Sequence, residues 1–166
     1  MGLTLAAIGA VAAALLNLTI APYLQIGAAQ PDFVLICAVV WTVVAGIEGG
    51  FIWAFIGGLM IDFLSPRPLG LTAFTLLLCV GGAALLARAM FRFRYIVPIV
   101  AVFTCSIANA LLFLAVYGAL RSPIPTPDPV GAIVPTAIYN ALLAAIVGPV
   151  ALALITRRGN RERPDW

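Results

Sequence analysis

The chain contains no lysine and no histidine. All nine of its positive charges are therefore arginines. The lack of histidine removes the commonest general base and the commonest metal ligand. Charge of either sign is scarce: 9% of residues are charged, against about 25% in a soluble domain. Cysteine is sparse too. Cys37, Cys79 and Cys105 each stand inside an apolar run, with no Cys-x-x-Cys spacing. They read as small buried hydrophobes rather than as metal ligands. No glycine-rich phosphate loop is present, nor a nucleophile spaced from a base. A proton relay would have only Glu48 and Asp62, at opposite ends of one span. These absences speak against an enzyme or a pump and imply no cofactor. The arginines fall in loops and tails, which is not a nucleic-acid pattern.

What is present is apolar: 64% of residues are hydrophobic and the mean hydropathy is +1.16. One membrane span needs about 20 residues, so six use about 120 and leave only short loops. The expectation is an all-α integral membrane protein, a six-transmembrane-helix bundle. It forms one domain over residues 1–156, followed by a basic tail over 157–166. The spans are expected at 2–24, 33–45, 49–64, 69–87, 95–120 and 130–155. The first apolar run follows no basic residue and is too long for a signal-peptide core. It reads as a retained span.

The stretch 46–70 reads as the organiser of the chain. Gly46, Gly50, Ala54, Gly58 and Asp62 recur every fourth residue. That spacing makes a small-residue ridge on which a neighbouring backbone can approach closely in lipid. The ridge serves either the fold itself or the membrane helix of a partner, with Ala6, Ala10 and Ala14 of the first span as a second such face. Ser65, Pro66 and Pro68 stop the helix, and Gly70 opens the next run. Pro31 and Asp32 suit the first turn of a helix. The second span, 33–45, is short. One continuous helix over 33–64 would be about 48 Å long, against roughly 30 Å of hydrocarbon. It would also bury Glu48 near the bilayer centre. A tight turn over 46–49 is therefore expected.

Orientation follows from arginine. Arg88, Arg92, Arg94, Arg157, Arg158, Arg161 and Arg163 lie on one side, Arg67 and Arg121 on the other. The positive-inside rule places the first group in the cytoplasm. With a hairpin at Gly46, both termini are cytoplasmic. Asn17, Asn109, Asn140 and Asp62 then fall in the outer half or near the midplane, where they could face one another. They read as interhelical glue or as the lining of an outward pocket. Asp62 is expected to stay ionised and to lock the turn after its helix. Its partner would be Arg67 or the free backbone donors of a neighbouring segment.

The Pro-Asp pair at Pro31 and Asp32, the run GGFIWAFIGGLMIDFLSPRPLG, and Pro135 with Asn140 together resemble the rod shape-determining protein MreD family. The likeness is specific over residues 31–70; elsewhere it is length, span count and hydropathy. It implies a bacterial cytoplasmic (inner) membrane protein of the cell-elongation machinery, supporting peptidoglycan synthesis and cell shape. Its partner would be an MreC-like bitopic protein. Through it the chain would be linked to MreB filaments, RodA and a class B penicillin-binding protein. The family's bundle is similar to the substrate-binding (S) subunits of ECF vitamin transporters, which supplies an alternative function. The outer loops lack the aromatic and charged cluster that a vitamin would want.

Overall fold

In the computed structural model six α-helices account for most of the described residues, which are 2–65, 68–89, 96–119 and 129–159. They are α1 (Gly2–Thr19), α2 (Phe33–Ala45), α3 (Ile47–Leu64), α4 (Leu71–Ala89), α5 (Val97–Ala119) and α6 (Pro129–Gly159). Among the described residues four stretches are long and apolar enough to cross a membrane: α3, α4, α5 and Val130–Ala153 of α6. α1, at 18 residues, is as long as α3, whereas α2 is shorter at 13; both are apolar.

The first span ends earlier than expected. α1 stops at Thr19, and the chain enters a 3-10 turn at Ala21–Leu24. Pro22 has no amide to continue an α-helical ladder. Thr19 Oγ1 donates to the Leu15 carbonyl at 2.7 Å within the last turn.

The turn expected over 46–49 contracts to Gly46 alone. Its φ of +106° is one that only glycine adopts without strain. Around it the chain folds back on itself. A methyl group built on Gly49 would meet Trp41, one on Gly50 would meet Thr42, and one on Gly57 would meet Val34. The seven-residue step from Gly50 to Gly57 on α3 matches the eight-residue step from Thr42 back to Val34 on α2, which defines an antiparallel hairpin. On a single straight helix Val34 and Gly57 would stand about 35 Å apart.

The same reasoning aligns the other neighbours. Gly58 lies on Ala73 between α3 and α4. Pro98 meets Gly148, and Ser106 meets Asn140, so α5 and α6 are antiparallel. Cys79 and Cys105 each donate a thiol to the other's carbonyl, at 3.5 and 3.2 Å, across α4 and α5.

The centre of the bundle is α2, not α3. α2 touches all five of the other α-helices. Val34, Leu35, Ile36, Ala38, Val39, Val40 and Thr42 are all buried on it. A helix apolar on every side belongs inside a bundle. Its shortness follows, because it begins within the protein rather than at the membrane surface.

Candidate functional site

A helix that starts inside an apolar bundle has a problem of chemistry. Its first amides lack intrahelical acceptors, and the surroundings are largely apolar. At α2 they are met by side chains from three places. Asn140 Oδ1 on α6 accepts from the Asp32 amide at 3.0 Å. Asn17 Oδ1 on α1 accepts from the Phe33 amide at 2.9 Å. Asp32 itself is the N-cap, its Oδ1 accepting from the Leu35 amide at 3.1 Å. Pro31, fully buried just before it, has no amide to satisfy. Asn140 is in turn fixed by donating through Nδ2 to Ser106 Oγ at 2.8 Å. One asparagine therefore joins α2, α5 and α6.

The start of α4 is met in another way. The chain leaves α3 at Ser65 and re-enters helix after Gly70, whose φ is +87°. Asp62, 1% exposed, reaches across this connection. Its carboxyl oxygens accept from the Thr72 amide at 3.1 and 3.0 Å and from the Ala73 amide at 3.3 Å. Free backbone donors, one of the partners expected for Asp62, are thus in place. Arg67, the other, lies outside the described residues.

The four polar residues expected to face one another divide into separate tasks. Asn17 and Asn140 converge on α2, and Asp62 turns to α4. Asn109 is buried on α5, three residues beyond Ser106, and its Oδ1 finds no hydrogen-bond partner among the described residues. The Trp53 indole N–H and the Thr72 hydroxyl are also buried without one.

The small-residue ridge faces inward. Gly50 lies against Thr42, and Ala54 is wholly buried. A methyl on Gly58 would come within 2.5 Å of the Ala73 Cα and 2.7 Å of its nitrogen. Gly46 forms the hairpin turn, and Asp62 closes the row. The sequence pattern left two further close contacts unseen: Gly57 against Val34, and Gly9 against the Trp53 ring. Trp53 also packs on Trp41, with ring centroids 5.9 Å apart. Ala6, Ala10 and Ala14 are fully buried as well. Both small-residue faces are thus filled by the chain's own helices, the first of the two uses expected for them, and not open as seats for a partner helix. α3 instead turns Phe51, Phe55 and Phe63 outward.

Six packed helices, apolar on the outside and stitched together by buried side-chain-to-backbone bonds, define a multi-pass membrane protein. The sequence model of one family, described as rod shape-determining protein MreD, matches residues 2–158. That match covers nearly the whole chain, and the protein belongs to this family, with a role in rod shape determination. No curated protein and no solved structure matches the chain. The likeness to ECF transporter subunits therefore finds no support.

Proposed function

We propose that the chain is a non-enzymatic scaffold of the bacterial cytoplasmic membrane, holding an MreC-like bitopic protein. Through that protein it supports RodA and a class B penicillin-binding protein in peptidoglycan synthesis. The observation that carries this reading is the use made of the buried polar groups. Asn17, Asp32, Asn140 and Asp62 all bind backbone amides that begin helices, and Ser106 holds Asn140. Such groups stiffen a bundle. In this reading the chain crosses the membrane six times, with both termini in the cytoplasm.

With the glycine ridge filled, the partner meets an outer face. Co-purification with the MreC-like protein is the test, with photo-reactive residues placed at Phe55, Leu78 and Leu142 in turn. Crosslinking confined to one of these faces is expected. No association, together with normal cell shape after deletion of the gene, would sink the proposal. Topology is checked separately with cysteines introduced at Gly2 and Ser122, which should label from opposite sides of the membrane.

A further inference from the structure

We propose that the end of the bundle where α4 and α6 finish binds anionic phospholipid headgroups. Three helix ends meet there. The Cys79–Cys105 register runs α4 against α5, and the Pro98–Gly148 contact runs α5 against α6. The last turn of α4, the first turn of α5 and the final third of α6 therefore share one end.

α6 overshoots its neighbours at this end. Gly148 lies beside Pro98, the second residue of α5. The helix then continues through residues 149–159, about 16 Å more. In the sequence its apolar run extends through Ile155. Arg157 and Arg158 thus ride on helical backbone beyond the apolar part.

Charge is unbalanced there. Arg88, exposed in the last turn of α4, makes no ion pair among the described residues. The described acidic residues are Asp32, Glu48 and Asp62. Asp32 and Asp62 belong to the helix starts at the other end, which leaves Glu48 alone against three arginines.

The side-chain type names the ligand. Arginine presents a planar fork of donors that matches a phosphate in a bidentate way, whereas lysine is a point charge. The chain uses arginine exclusively. Basic residues just beyond a membrane span draw anionic lipid, roughly fivefold for each charge near the surface. A zwitterionic lipid offers the same phosphate but carries its own cation. The inference rests on the chain's membrane class and not on any protein partner.

The experiment uses the full-length protein in phosphatidylcholine bilayers containing a minority of phosphatidylglycerol. Lipids retained by the released protein are counted by native mass spectrometry. Wild type should retain phosphatidylglycerol at least roughly fivefold above its bulk share, and rising salt should erase the excess. The triple variant Arg88→Gln, Arg157→Gln, Arg158→Gln should fall to the bulk share. The corresponding triple lysine variant should fall between the two. Wild type at the bulk share, or a glutamine variant that keeps the enrichment, overturns the proposal. Displacement of the lipid by millimolar inorganic phosphate overturns it in favour of a free-phosphate site. If the glutamine variant does not fold, the salt series on wild type decides, and enrichment indifferent to salt is the negative result.

Discussion

The starts of α2 and α4 solve one problem by two routes. Each begins with amides that lack intrahelical acceptors, part-buried at α2 and buried at α4, and each leaves them satisfied. At α4 the acceptor is Asp62, ten residues before Thr72 and across a single connection. At α2 Asp32 accepts locally from the Leu35 amide, but the Phe33 and Asp32 amides are met by Asn17, 16 residues away, and Asn140, 108 residues away. The first cap forms as soon as α3 and α4 fold as a hairpin. The second exists only when α1 and α6 have docked. The start of α4 is therefore capped within a local unit, whereas the start of the central helix needs the whole bundle. A carboxyl group with two oxygens serves where two adjacent amides converge. Amides serve at α2, where each neighbour supplies one acceptor and Asn140 must also donate to Ser106.

The contrast breaks most visibly at the contact beneath Asp62. Gly58 lies against the backbone of Ala73, which no rotamer change can move. Gly58→Leu should force α3 and α4 apart, at a cost of about 3 kcal/mol or more. Loss of monodisperse protein in detergent, or a collapse of the thermal midpoint, is the expected readout. A well-folded Gly58→Leu would mean that the two helices do not approach as described.

Removing the local cap itself comes next. Asp62→Ala leaves the Thr72 and Ala73 amides buried without acceptors, a loss of about 3 kcal/mol. Asp62→Asn retains one acceptor oxygen and should lose about half as much. Unfolding by SDS titration in bicelles resolves the two. Equal stability of the Ala and Asn variants would show that the bonds to α4 contribute little. Equal loss of cell shape in two equally stable variants would point to the charge instead.

The long-range cap should be weaker per residue and more cooperative. Asn140→Ala removes bonds to both α2 and α5, about 2 kcal/mol. Asn17→Ala removes one, about 1 kcal/mol. Amide exchange at Asp32 and Phe33 should accelerate in both variants, while exchange at Thr72 stays slow. If Thr72 accelerates equally, the two helix starts are one cooperative unit and the division into local and global caps fails.

This division also explains what could be read from the sequence. The six helices were legible because apolar runs and proline punctuation are local signals. The hairpin at Gly46 followed from length and from the cost of burying Glu48. The Asp62 lock was legible because its acceptor and donors lie within about ten residues of chain, across a single connection. Asn140 was visible as a polar residue in an apolar span, but nothing local shows that its acceptor meets Asp32, 108 residues earlier. The ridge was found and its surroundings were not. A four-residue spacing says that a backbone comes close, not whose backbone it is. Gly57 and Gly9 escaped notice because each accommodates a side chain, Val34 and Trp53, rather than continuing a row. The central place of α2 was hidden by its shortness, which reads as a weak span until its buried start is seen.

The smallest expected effect sharpens the comparison from the other side. α4 carries Gly81 and Gly82, which resemble the α3 glycines in sequence. A methyl group built on either meets nothing within 4 Å. They are therefore not packing glycines of the bundle. Gly81→Ala fills open space and removes a residue that disfavours helix, so it should be neutral or stabilise by about 0.5 kcal/mol. Gly58→Ala, one methyl as well, should destabilise, because its methyl meets the Ala73 backbone. A parallel measurement of thermal midpoint and of cell-shape rescue separates two uses of glycine. If Gly81→Ala folds as well as wild type and rescues shape, the open space beside it is lipid. If it folds as well and fails to rescue, a partner comes close to α4 at that point, and the outer face of α4 becomes the surface to crosslink first.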